Sequence, residues 1–228
     1  MKDIAFVLYP GCTPLDLVGP LQVLNALSRL VPDHRTVVVG ESLDPVYTDL
    51  PLLLAASHTY EQITDPYAVV LPGGLQPTLE GLADERLLAR IRGLAEGAEV
   101  IGSVCTGSLL LAAAGLLAGR RATTHWMFRD LLAKYGATPV AQRWVEDGPV
   151  ITAAGVAAGI DMALHLVQRL AGKEIAAEVQ LLIEYDPQPP LGPIDWSTVD
   201  LAARKPVSDA ILAQSLAEHP ELLSRLSG

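Results

Sequence analysis

"EVIGSVCTGSLLLAAAGLLAGRRATTHW", residues 99–126, sets one cysteine, Cys105, between a run that reads as a buried strand and a run that reads as a helix. The strand spans Val100–Val104 and the helix Thr106–Leu117. Ser103 and Gly107 stand two places before and after the cysteine. A sharp strand-to-helix turn pushes its central side chain out at the carboxyl end of the strand, and only small residues at those offsets let the flanking backbones pass. The helix start adds unpaired N–H groups and a positive dipole end, which lower a thiol's pKa and favour thiolate. An inert buried thiol is the commoner fate of a lone cysteine. The small-x-Cys-x-small pattern makes a reactive nucleophile the better reading here.

Outward from this turn, short apolar runs alternate with longer amphipathic ones, the pattern of a mostly parallel sheet with helices on both faces. Strands are expected over Ile4–Tyr9, Thr36–Val39 and Tyr67–Leu71 as well. Helices are expected over Leu15–Leu30, Glu85–Ala95, Trp126–Lys134, Gly159–Ala171 and Glu174–Tyr185. Asp147-Gly148 between two β-rich arms signals a hairpin, hence an antiparallel element at one edge of the sheet. "DPQPPLGPIDWS", residues 186–197, carries four prolines and should run extended over the surface. A last amphipathic stretch, Val207–Leu226, follows it. The expected division is a catalytic α/β unit over residues 1–190 and an arm with a helix over residues 191–228, docked on its own domain or on a second subunit.

Composition narrows the function classes. The formal charge is −10 and the isoelectric point about 4.9, which opposes nucleic-acid binding because phosphate contacts need clustered Lys and Arg. The apolar run Leu109–Ala118 is about half the roughly 20 residues a membrane span requires, and Arg120 and Arg121 close it. The opening "MKDIAFVLYP" lacks the layout of a secretory signal, so a cytoplasmic protein is expected. Two cysteines, Cys12 and Cys105, make neither a disulfide framework nor a zinc site. No metal or organic cofactor is expected, and a small molecule is the expected partner.

A thiol nucleophile needs a proton partner, usually a histidine, but the residue after Cys105 is Thr106. His34, His58, His165 and His219 read as structural or solvated, and His125 in "ATTHW" as structural or as a visitor to the site. Asp16 in "YPGCTPLDLVGP" follows the first strand and also lies at the carboxyl end of the sheet. It reads either as a helix-start cap or as a carboxyl that shares a proton with the thiol. Gly73 and Gly74 in "VVLPGG" are either a plain turn or a place where backbone N–H groups reach a ligand. Cys12 reads as a buried thiol beside a turn.

Together, "LD-x-x-GP" after the first strand, "LPGG" after a middle strand, and "SVCTGS-x-x-L-x-x-AGLL-x-G-R-RATTHW" resemble the ThiJ/PfpI superfamily of class I glutamine-amidotransferase-like proteins. "G-x-x-AGID-x-AL" at Gly155–Leu164 and "VQL-x-IEY-x-P-x-PP" at Val179–Pro190 extend the likeness to the isocyanide (isonitrile) hydratase branch, over roughly the first 190 residues. The resemblance implies a flavodoxin-like three-layer α/β sandwich with a nucleophile elbow, and commonly a homodimer. Peptidase-like and glyoxalase-like members usually carry His after the nucleophile and Glu in the first loop; Thr106 and Asp16 depart from that pattern. The implied activity is a lyase reaction, hydration of an isocyanide to an N-substituted formamide through a Cys105 thioimidate. Asp16 would carry the proton, Thr106 would orient it or a water, and the Gly74 and Thr106 N–H groups would stabilise charge. Gly73 shares the backbone role, and Val156 would pack beside the nucleophile. The alternatives are a redox-responsive or chaperone-like cysteine protein, and a ligand-sensing domain related to AraC-type regulators without their DNA-binding part.

Overall fold

The computed structural model describes residues 1–228. Its centre is a seven-stranded sheet of β1 (Lys2–Val7), β2 (His34–Gly40), β3 (His58–Thr59), β4 (Ala68–Leu71), β5 (Val100–Val104), β6 (Trp144–Asp147) and β7 (Val150–Ala153). Their order is β6-β7-β5-β4-β1-β2-β3. All neighbours run parallel except β6 and β7, which form the antiparallel edge hairpin around Gly148. The run β2-β1-β4-β5-β7 has the flavodoxin-like order, in which the direction of winding reverses between β1 and β4. Ile4, Phe6, Val69, Val70 and all of β5 are buried, as expected for strands covered on both faces.

Helix α1 (Pro14–Leu30) lies against α4 (Ala158–Ala171) and α5 (Lys173–Leu182). Helices α2 (Glu85–Ala95) and α3 (Gly107–Ala113) pack with the segment Trp126–Tyr135 and form the other layer. A Cβ on Gly159 would fall 2.9 Å from a methyl of Val104, so the start of α4 sits directly on the elbow strand. The three consecutive leucines Leu109, Leu110 and Leu111 are fully buried, and every residue of α3 but Ala113 is buried.

The structure differs from expectation in four helices. The run after Cys105 is helical only over Gly107–Ala113, and Gly115, at φ +83°, turns the chain away. Trp126–Tyr135 is a chain of 3₁₀ turns interrupted at Phe128 instead of an α-helix. The helix expected over Glu174–Tyr185 stops at Leu182, and Glu184 follows with φ +50°. The terminal stretch is two helices, α6 (Leu201–Ser215) and α7 (Pro220–Ser227), because Pro220 cannot continue the first. Helix α6 rests on the Trp126–Tyr135 segment and the short helix Gln76–Glu80, and Leu212, Leu216 and Leu226 join the core. The two-residue strand β3 carries too short a pattern to be read from sequence.

Gly107 tests the elbow. A Cβ there would lie 2.5 Å from the Leu71 carbonyl oxygen and 2.7 Å from that of Pro72, both fixed backbone. Gly107→Ala is expected to destabilise the protein by about 1–3 kcal/mol through overpacking. Gly93→Ala, on the open face of α2 with nothing within 4 Å of the new carbon, should instead gain up to about 1 kcal/mol. Urea denaturation of both variants checks the pair.

Candidate active site

The loops after β1, β4, β5 and β7 converge at the carboxyl end of the sheet, beside the reversal between β1 and β4. Cys105 occupies the turn after β5 with φ 55°, a left-handed conformation that costs a non-glycine residue about 1–3 kcal/mol. Hydrogen bonds hold it there. Its N–H donates to the carbonyls of Ala153 (3.1 Å) and Ala154 (3.0 Å). Its carbonyl accepts from the Thr124 hydroxyl at 2.8 Å and the Ser108 hydroxyl at 3.2 Å.

Asp16 does not cap α1. Thr13 holds the cap position, and the Asp16 side chain turns inward, fully buried. Its Oδ2 accepts the Gly73 N–H at 3.1 Å, while Oδ1 is buried with no hydrogen-bond partner. The carboxyl and the Cys105 thiol are close enough for each to shift the other's pKa. Burial raises Asp16 to about 7, against the pull of the Gly73 N–H and the thiol. Burial, and after it the Asp16 charge, also push the Cys105 thiol well up. The Thr106 and Val156 N–H groups face the sulfur and pull the other way, but they do not overcome burial. The geometry does not favour the expected thiolate at the helix start: α3 has only seven residues, Cys105 is 6 % exposed, and burial raises the thiol.

Thr106 and the glycines also depart from expectation. The Thr106 hydroxyl donates to the Gly74 carbonyl at 2.6 Å and accepts the Gly74 N–H at 3.1 Å, so it does not orient Asp16. That exchange occupies the Gly74 N–H, and Asp16 occupies the Gly73 N–H, so neither is a free donor for developing charge. A Cβ on Gly73 would lie 2.6 Å from the Thr106 nitrogen and 2.9 Å from Asp16 Oδ2. Val156, expected to pack, instead has φ 35° and turns its N–H toward the sulfur. The alanines that grip Cys105 escaped the sequence reading; the run of small residues Ala153-Ala154-Gly155 was the available signal.

His125 is not brought to the thiol. Its Nδ1 accepts the Met127 N–H at 3.4 Å, and its ring lies where a Cβ on Gly155 would stand, 2.6 Å from Cδ2. Cys12 is a fully buried free thiol whose burial raises it to about 12. No group of three or more His, Cys, Asp or Glu side chains is arranged to hold a metal ion. No helix is long and apolar enough to cross a membrane.

Residues 2–169 match the model of the DJ-1/PfpI family. The chain belongs to that family. Among relatives of the DJ-1/PfpI chain, isonitrile hydratase from Pseudomonas putida is 44% identical over 210 residues, covering 91% of this chain and 88% of the relative. The HTH-type transcriptional regulator CdhR of Pseudomonas aeruginosa is 30% identical over 224 residues, covering 95% of this chain and 64% of the regulator. A crystal structure of a ThiJ/PfpI family protein from Pseudomonas syringae superposes with a TM-score of 0.85 at 37% identity, covering 100% of this chain and 90% of that one.

The raised Asp16 carboxyl has a consequence for stability. The fold favours its neutral form, so its contribution is fully present below pH about 4 and is lost as pH rises through about 7. Asp16→Asn keeps an acceptor for Gly73 and removes the charge. It is expected to be more stable than the wild type at pH 8 by about 2–4 kcal/mol, with the gap closing at pH 4. Denaturation curves at the two pH values check the sign.

Proposed function

We propose that this protein is an isonitrile hydratase in which Cys105 is the nucleophile and Asp16 the proton carrier. The observation that carries the reading is the buried Asp16–Cys105 pair, with one Asp16 oxygen unpartnered and no histidine at the thiol. The similarity to the hydratase of Pseudomonas putida supports it.

The overall reaction adds water to R–N≡C to give R–NH–CHO. As the Cys105 sulfur attacks the terminal carbon, the thiol proton passes to Asp16, which delivers it to that carbon. The product is a thioimidate, R–N=CH–S–Cys105, and Asp16 is again a carboxylate. Oδ1 then takes a proton from water as the oxygen adds to the same carbon, and the proton goes to nitrogen. The tetrahedral species loses its O–H proton through Asp16 to the departing sulfur, releasing the formamide and restoring the thiol. The Thr106 and Val156 N–H groups stabilise negative charge on sulfur as it leaves, and the Thr106 hydroxyl fixes the loop of Gly73 and Gly74. This cycle suits a buried, uncharged thiol: its proton goes to the formyl carbon, water replaces it through Asp16, and no free thiolate is needed.

The same burial weighs against the redox reading, since peroxide attack runs through an accessible thiolate. The ligand-sensing reading has the regulator similarity behind it and predicts binding without turnover.

Incubation with an alkyl or aryl isocyanide is expected to yield formamide. Cys105→Ala and Asp16→Asn should each lower the rate at least 10²-fold, within the usual range for removing a nucleophile or proton carrier. The value of kcat/KM should rise as pH passes through about 7, where Asp16 becomes able to accept the thiol proton. Absence of formamide from the wild type defeats the proposal, and unchanged turnover in Cys105→Ala defeats its mechanism.

A further inference from the structure

Isocyanides are linear at R–N≡C, so a carbon bound at the Cys105 sulfur directs R out of the site. Three sides of that sulfur are walled by backbone and by Asp16: the loop of Gly73 and Gly74, the start of α3, and the turn at Gly155–Val156. A row of aromatic rings adjoins the last wall. The His125 ring lies on Gly155, and its centroid is 5.5 Å from that of Trp126. Trp126 in turn stands 6.3 Å from Trp196, with the rings at 52°.

Trp196 comes from the proline-rich arm, whose residues are almost all exposed, and is itself 48 % exposed. Its turn is nevertheless well built. Asp195 Oδ1 accepts the Ser197 N–H at 3.0 Å and the Ser197 hydroxyl at 2.6 Å, and the Thr198 hydroxyl donates to the Asp195 carbonyl at 2.9 Å. The arm is anchored at one end by the Tyr185 hydroxyl, which donates to Asp161 at 3.1 Å, and at the other by α6. A capped turn on an anchored arm that spends its bonds presenting a half-exposed tryptophan to Trp126 contributes little to the core. Burial and the nearby Arg129 lower the pKa of His125.

Resting on the hydratase reading, we propose that Trp126 and Trp196 are specificity-determining residues that receive the R group and favour isocyanides with bulky apolar or aromatic substituents. Aromatic contacts reward a ring-bearing substrate and leave a methyl substituent unaffected, so the effect belongs in KM and in the ratio between substrates.

The test compares phenyl isocyanide with methyl isocyanide in the wild type, Trp196→Ala and Trp196→Phe. Trp196→Ala should lower kcat/KM about tenfold for the phenyl compound, mainly through KM, and less than twofold for the methyl compound. Trp196→Phe should recover most of the loss. An unchanged phenyl-to-methyl ratio in a working enzyme overturns the ladder and leaves the hydratase reading standing. Tryptophan fluorescence separates the two claims independently of turnover. Phenyl isocyanide should quench Cys105→Ala, and the quench should fall by at least half in Cys105→Ala/Trp196→Ala; equal quenching overturns the ladder. If the wild type hydrates neither compound, the hydratase reading falls and the quench alone decides whether the ladder binds the ring.

Discussion

The site depends on the closeness with which Gly73 passes between α1 and α3. With no side chain, it fits 2.6 Å, measured from an imagined Cβ, from the Thr106 nitrogen and 2.9 Å from Asp16 Oδ2. Its N–H can then turn Asp16 inward, and its neighbour Gly74 can exchange two hydrogen bonds with Thr106. A Cβ at this position would crowd both the Asp16 carboxyl and the start of α3. Three separate sequence segments thus meet because one of them is bare backbone.

Burial, and not the helix dipole, sets the chemistry of the pair. Short α3 offers little dipole, and the two N–H groups facing the sulfur are outweighed by the loss of water around it. A solvated cysteine at a long helix would rest as thiolate and react with many electrophiles, oxidants included. A buried thiol beside a carboxyl that titrates near pH 7 keeps its proton at rest, and under the proposed hydration releases it only as the isocyanide binds. This arrangement favours a reaction that consumes and returns one proton, as isocyanide hydration does.

Much of this was legible in the sequence where local pattern and tertiary demand agree. Val100–Val104 and Glu85–Ala95 appear at the expected boundaries, since a fully buried strand and a capped amphipathic helix each carry their own signal. Asp147-Gly148 marks the antiparallel edge for the same reason. Trp126–Lys134 misled because helical spacing does not distinguish an α-helix from successive 3₁₀ turns. At the site, Cys105 and Asp16 could be picked out by residue type. The Val156 N–H, the carbonyls of Ala153 and Ala154, and the engagement of both glycine N–H groups are backbone facts that no side-chain identity announces.

The central claim, that Cys105 is the atom on which an isocyanide is held while Asp16 moves the proton, is tested most directly by mass spectrometry of protein quenched in acid during turnover. A fraction of the chain is expected to be heavier by one isocyanide, with the added mass on the peptide containing Cys105 and absent from Cys105→Ala. Added mass on Cys12 instead, or formamide released by Cys105→Ala at the wild-type rate, would contradict it.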